Sequence, residues 1–392
     1  MIRSAPIWSS GFRPFFLAAA AYGPALLLSW LGARLGWWGT PLAGLASPLL
    51  HAHEMLFGFA AALVCGVLLT ALPSWSGAAQ LHGPPLAALA LLWLAGRVSF
   101  LATQVLADPW FAPLLIGVID CALFPALCVL LLATIRRARR RLFWWTLPPL
   151  AAFASANIAF HVALASGSYA GAQRALLLGV HALAFLFTLY GGLFIPAFTR
   201  RWLHGRGEHA ATILMPLEYA TAITMVAFAC ADLLDASRAW MTAAAGAAAI
   251  VQAWRFARWR GWRTASEPLL WSIHLGYSWL VAALVLRALS AIIPDVPREA
   301  WIHAFTVGAY GMLKIGLMTR VVLRHTGRPV HAGRLMSFAF VMVFAAALLR
   351  LAFAMHGFGE WALVGSALLW AAALLVYLVR FGRFLYLPSL HR

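Results

Sequence analysis

Apolar residues run along this chain in stretches of about twenty, the length of helix that crosses a hydrocarbon core, and each is closed by Pro, Gly or charge. The stretches begin near Pro14, His51, Pro84, Phe111, Phe143, Gln173, Thr212, Arg238, Pro268, Ala300, Leu335 and Trp361. None shows the ten-residue alternation of an outer-membrane strand. A segment in lipid has to satisfy its own backbone hydrogen bonds, which a helix of this length does. The pattern predicts an all-α polytopic integral membrane protein of about twelve transmembrane helices, with residues 1–392 as a single transmembrane domain. No strict repeat is visible, although twelve spans can hold a six-plus-six duplication of the kind found in transporters.

Composition agrees, with 64% of residues hydrophobic and 10% charged, against about a quarter charged in a soluble domain. A net charge of +18 would suggest nucleic acid in a soluble protein. Here the charge sits in short loops beside the spans, so no nucleic-acid partner is expected. Assigned to alternate loops, 21 of the cations fall inside, from Arg3, Arg13, the run 136–141, Arg200, Arg201, Arg206, the cluster 255–263, the cluster 320–334, Arg380, Arg383 and Arg392. Four fall outside: Arg34, Arg174, Arg238 and Arg298. Positive charge favours the cytoplasmic ends of spans, so both termini are expected in the cytoplasm of a bacterium and the chain in its inner membrane. Arginine outnumbers lysine 28 to 1, which reads as codon bias. Cys65, Cys121, Cys128 and Cys230 all fall in spans, where a free thiol behaves as a small hydrophobe.

Thirteen histidines stand out, because an ionisable group inside a membrane is costly and is a functional candidate by default. In the twelve-span topology His51, His53, His161, His181 and His303 share one level in the outer half. Such a layer can build metal sites between helices, since neutral imidazole is a common ligand of haem iron and copper. The competing reading is a set of separate hydrogen-bonded core histidines. His51 and His53 lie about 200° apart around a regular helix, so they face one site only if the helix begins after them. Glu54 is a candidate proton carrier, metal ligand or acceptor that orients an imidazole, or simply a carboxylate at a helix start. Asn157, four residues before His161, suits a hydrogen-bonding partner on the same face. His303, Tyr310 and Lys314 also share a face, as a row carrying protons or electrons inward or as a polar stripe between helices. Arg97 and Asp120 lie at similar depth and are expected to pair. Arg287 and Arg350 suit haem propionates, the alternative being Asp232 or backbone carbonyls. His274, flanked by Trp271 and Tyr277, reads as a redox or quinone position or as an interfacial aromatic cluster.

At GFRPFF (11–16), HAHEMLFGFAAAL (51–63), LLTALPSW (68–75), GGLFIPAFTR (191–200), RWRGWRTASEPLLWSIHLGY (258–277) and HAFTVGAYGMLKIGLMTRVVLRHTGRP (303–329), the sequence resembles the NnrS family of bacterial membrane proteins. It departs from the family at Leu193 and Phe194, where an Arg is frequent, and at Lys314, where Thr is common. The resemblance implies a membrane protein containing haem and copper, associated with denitrification and with protection against nitric oxide. On the matching motifs it carries over His51, His53, Glu54, His303 and His325 as site residues; His161, His181 and His274 join them by depth alone. The absence of a C-x-x-C-H motif makes the expected haem a b-type one.

The leading expectation is a haem protein that binds and reduces nitric oxide in the outer half of the membrane. Electrons would come from quinol or a periplasmic donor, with Glu54, Tyr310 and Lys314 in catalytic roles. Two alternatives stand beside it: a non-catalytic binder of nitric oxide or metal that shields cellular iron, and a transporter of metal, haem or an iron complex. Discontinuous spans paired across the two halves would favour transport, and the sequence shows no clear pair.

Overall fold

The structure, a computed structural model, describes residues 5–37, 47–102, 111–138, 141–208, 212–355 and 358–390. Four cations of the charge count, Arg3, Arg139, Arg140 and Arg392, lie outside the described residues. Every expected span meets a long helix. These are α1 (Phe12–Arg34), α2 (Pro48–Ser76), α3 (Pro84–Ala102), α4 (Phe111–Cys121 continuing as Leu123–Arg137), α5 (Leu147–Ala165) and α6 (Tyr169–His204). There follow α7 (Met215–Leu233), α8 (Arg238–Arg258), α9 (Pro268–Ser290), α10 (Ala300–His325), α11 (Gly333–Ala354) and α12 (Glu360–Tyr386). The chain is an all-α polytopic membrane protein.

Prolines sit at the first turns of α2, α7 and α9, where the missing N–H costs nothing. Gly77 closes α2 in the left-handed conformation that glycine adopts without strain. Among the described residues, nine of the helices are long and apolar enough to cross a membrane by length and composition alone. Of the other three, α3 is apolar but short, counted over Pro84–Ser99, while α7 and α8 carry polar groups such as Glu218 and Arg255. Large apolar side chains such as Val129, Val162 and Ile223 remain exposed along the helices, as suits contact with lipid.

The chain divides into two compact units. One comprises Met1–Leu183, Val321–Arg328 and Tyr377–Arg392; the other, Ala184–Arg320 and Pro329–Val376. In the first unit α1 lies close against α2: Phe15 and Phe16 are fully buried, and a methyl at Gly66 would come within 2.7 Å of the Phe16 ring. Arg13, buried at the start of α1, donates to the carbonyls of Phe384 (3.1 Å), Leu385 (3.0 Å) and Leu387 (2.7 Å) and to Ser389 Oγ (2.9 Å). It thereby satisfies carbonyls that the last turn of α12 leaves without intrahelical donors.

Two helices change their winding partway. In α2 a short α-helical stretch (Pro48–His53) passes into a π-helix (Glu54–Ala60) before the α-helix resumes at Ala61. In α10 the order is the same: Ala300–His303, a π-helix over Ala304–Tyr310, then Gly311–His325. π-Helical turns are rare and concentrate at functional sites.

Candidate metal centre

The first π-helix begins beside a cluster of buried polar side chains, all in the first unit. His53 is fully buried and approaches Glu54 through Nδ1, at 3.0 Å from Oε1. Its Nε2 lies 2.9 Å from Asn157 Oδ1 and 3.2 Å from Asp120 Oδ2. His161 Nε2 approaches the same Asp120 oxygen at 3.0 Å, and Asn157 Nδ2 donates to it at 2.9 Å. Arg97 bridges Glu54 and Asp120, and Tyr22 donates its hydroxyl to Glu54. One ligand atom each from His53, Asp120 and His161 fall within 4.8 Å of one another, the spacing of a shared metal ion.

Glycine makes the close approach feasible. A methyl at Gly58 would sit 3.1 Å from Glu54 and 3.2 Å from Arg97, and one at Gly96 would lie 3.0 Å from Asp120 Oδ1. Aromatic rings close the other side: Phe160 stacks on His53 at 4.4 Å, with Phe57 at 5.0 Å.

The donor set fits a cation. Two carboxylates face one guanidinium, so with neutral imidazoles the cluster carries one net negative charge. When His53 donates Nδ1–H to Glu54, its Nε2 presents a lone pair to two acceptor oxygens, those of Asn157 and Asp120. A bound cation resolves that clash of lone pairs. The Glu54–His53 contact is the carboxylate–imidazole arrangement that fixes the tautomer of a metal-binding histidine. Two imidazoles and one carboxylate suit iron or copper and leave coordination positions open. A porphyrin does not fit at His53, because Nε2 has two side chains within 3.2 Å and a stacked phenyl ring beside it.

The structure divides the residues singled out from the sequence. His53 and His161 come together as expected, and Asn157 joins them by bonding His53 and Asp120 rather than His161. Arg97 and Asp120 pair as expected, and Asp120 is in addition a candidate ligand not expected from the sequence. Its signal was present, as a carboxylate at the depth of the histidines. The helix begins at Pro48, before both His51 and His53, so the two diverge and the His51 ring lies tilted against Trp30 at 4.4 Å. His181, also buried, is not one of the three grouped ligands, and the His325 ring stands 5.6 Å from that of Phe12.

In the second unit, His303 binds Glu299 O through Nδ1 (3.2 Å) and Arg350 through Nε2 (2.6 Å). Arg287 bonds Asp232 at 3.0 and 2.7 Å, the alternative to a haem propionate. Nε2 of His274 meets Thr199 Oγ1 at 2.8 Å. Tyr310 lies under the ammonium of Lys314, 4.9 Å from ring centroid to nitrogen. Arg255, read from sequence only as part of a basic loop cluster, is buried, pairs with Glu218 and donates to Tyr277 Oη at 2.9 Å.

Fold and site together define a polytopic helical membrane protein with a buried histidine and carboxylate centre among its first five helices. The chain belongs to the NnrS protein family, whose model matches residues 6–389, and so fits a membrane protein related to nitric oxide. Comparison with curated proteins gives no match.

Proposed function

We propose that this protein binds nitric oxide at a non-haem metal ion held by His53, Asp120 and His161, and that it reduces the bound gas. The convergence of those three side chains, with Glu54 orienting His53, is the observation that carries the reading. A bound iron or copper ion supplies open coordination positions for a small neutral gas. Arg97 holds both carboxylates in place, while Phe57, Phe153 and Phe160 keep bulk water away from the centre. Nitric oxide is uncharged and dissolves in lipid, so a centre among spans is open to it. Reduction of two molecules to nitrous oxide and water consumes two electrons and two protons, and quinol carries both. Haem b, which the family resemblance implies, would require a histidine outside this cluster.

Metal analysis, a visible spectrum and an electron paramagnetic resonance spectrum under nitric oxide test the reading on detergent-purified protein. Expected are stoichiometric iron or copper, a nitrosyl signal, and loss of both in His53→Ala and Asp120→Ala. Metal-free parent protein, prepared with adequate iron, copper and haem supply, would overturn it. One observation favours transport as a second reading: α2 and α10 carry matching π-helical interruptions. Both remain continuous helices, however, without the gap between half-helices that exposes backbone to a transported ion.

A further inference from the structure

Lys314 is the only lysine in the chain; every other basic side chain apart from histidine is arginine. It lies on α10 with 8% of its surface exposed, among neighbours in sequence as buried as Met312, Leu313 and Ile315. Its ammonium faces the ring of Tyr310, and among the described residues no carboxylate, carbonyl or hydroxyl accepts a hydrogen bond from it.

This position has a counterpart in the first unit. Each seven-residue π-helix follows directly on a histidine, His53 in α2 and His303 in α10, and each has glycine in fifth place, Gly58 and Gly308. An aromatic side chain from the preceding span covers each glycine. A methyl at Gly58 would come within 2.7 Å of Tyr22 of α1, and one at Gly308 within 2.5 to 2.9 Å of the Trp279 indole of α9. Both α1 and α9 have 23 residues. An arginine from the following span reaches the head of each π-helix, Arg97 to Glu54 and Arg350 to His303. The two units thus contain copies of one three-span element.

The copies differ in charge. Ala304 stands at the position of Glu54, and Lys314 at the position of Val64. One copy carries Glu54 beside the cation site. The other has alanine in that place and carries a buried ammonium. A buried amine keeps its charge only when matched by an opposite charge or by hydrogen bonds, and otherwise sheds its proton. With Lys314 and its sequence neighbours this little exposed, the match has to be small.

We propose that Lys314 is the binding point for a small monovalent oxyanion, of the size of formate or nitrite, in the second unit. The site is separate from the metal centre and does not rest on it.

Because the chain has one lysine, protein grown with ζ-15N lysine gives a single side-chain nitrogen signal in solid-state NMR. Formate and nitrite are added in turn to the purified full-length protein in lipid, at constant ionic strength set with a bulky sulfonate salt. Expected is an ammonium signal that shifts saturably with either anion. Binding of 13C-formate in equilibrium dialysis should fall at least about thirtyfold in Lys314→Met, as for removal of one partner of a buried charge pair. Lys314→Arg, which keeps the charge, should stay within about tenfold of the parent, and this covers the case in which Lys314→Met fails to fold. A neutral-amine signal, an ammonium signal unmoved by both anions, or undiminished formate binding in folded Lys314→Met would overturn the proposal.

Discussion

Two side chains at the candidate metal centre take different parts, and conservative substitutions separate them. Glu54 touches His53 and Arg97 but is not among the grouped ligand atoms, so Glu54→Gln should keep the ion while weakening it. Loss of such an orienting partner lowers metal affinity by about 10- to 100-fold. Asp120→Asn removes a ligand charge outright and should leave the purified protein without stoichiometric metal. Competition with a chelator of known affinity measures both, and equal affinity in Glu54→Gln and the parent would remove Glu54 from the orienting role. At this scale most of the cluster was legible in the sequence as members without an assembly. His53, Glu54, His161, Asn157 and the Arg97–Asp120 pair each stand out because ionisable and amide groups are costly in lipid. Spacing along a helix gives the depth and face of a side chain, but not which faces of α2, α4 and α5 meet. Depth alone therefore pairs Asp120 with Arg97 and does not show that His53 and His161 share it. For the same reason Arg287 was offered to a ligand, although Asp232 was already its neighbour on another helix.

At the scale of elements, all twelve long helices were legible from hydropathy, while the winding of two of them was not. Nothing in HEMLFGFA or HAFTVGAY marks a switch from α to π hydrogen bonding, because the switch depends on tertiary contacts around Gly58 and Gly308. The likeness of the two π-helical segments is hidden for a similar reason: they keep histidine and glycine at matched positions and differ at nearly every position between them. Gly58 therefore carries a prediction of its own. Its methyl would lie 2.7 Å from Tyr22 and close to both Glu54 and Arg97, in surroundings that are fully packed. Overpacking of this kind costs about 1–3 kcal/mol, and here it displaces the groups that hold His53. Gly58→Ala should lower both the melting temperature in detergent and the metal content. Gly246→Ala, on α8 with nothing within 4 Å of the added methyl, should leave both unchanged or raise the melting temperature slightly. Equal behaviour of the two variants would mean that the space around the π-helix is not what fixes the centre.

For the whole molecule, Arg13 turns a question of length into one of parity. It lies at the start of α1 and bonds directly to carbonyls at the end of α12, and the backbone N–H of Leu390 bonds to Thr326 O just beyond α10. The start of α1 and the ends of α10 and α12 are therefore on one side of the membrane, which requires an even number of crossings between them. Nine spans would be an odd number and place the chain ends on opposite sides. From α1 to the end of α10 the apolar helices number seven, so one or all of α3, α7 and α8 must also cross. The distribution of arginine selects all three, since it places Arg206 and Arg263 inside with one outward excursion between them. Reporter fusions decide the matter at a single loop. A reporter placed between Leu234 and Ser237 should be periplasmic, and reporters after Arg141, Arg206 and Arg263 cytoplasmic. A fusion between Ser166 and Gln173 should again be periplasmic. If the reporter after Leu234 behaves like those after Arg206 and Arg263, α7 and α8 lie on the inner face, α3 supplies the missing crossing, and the count falls from twelve to ten.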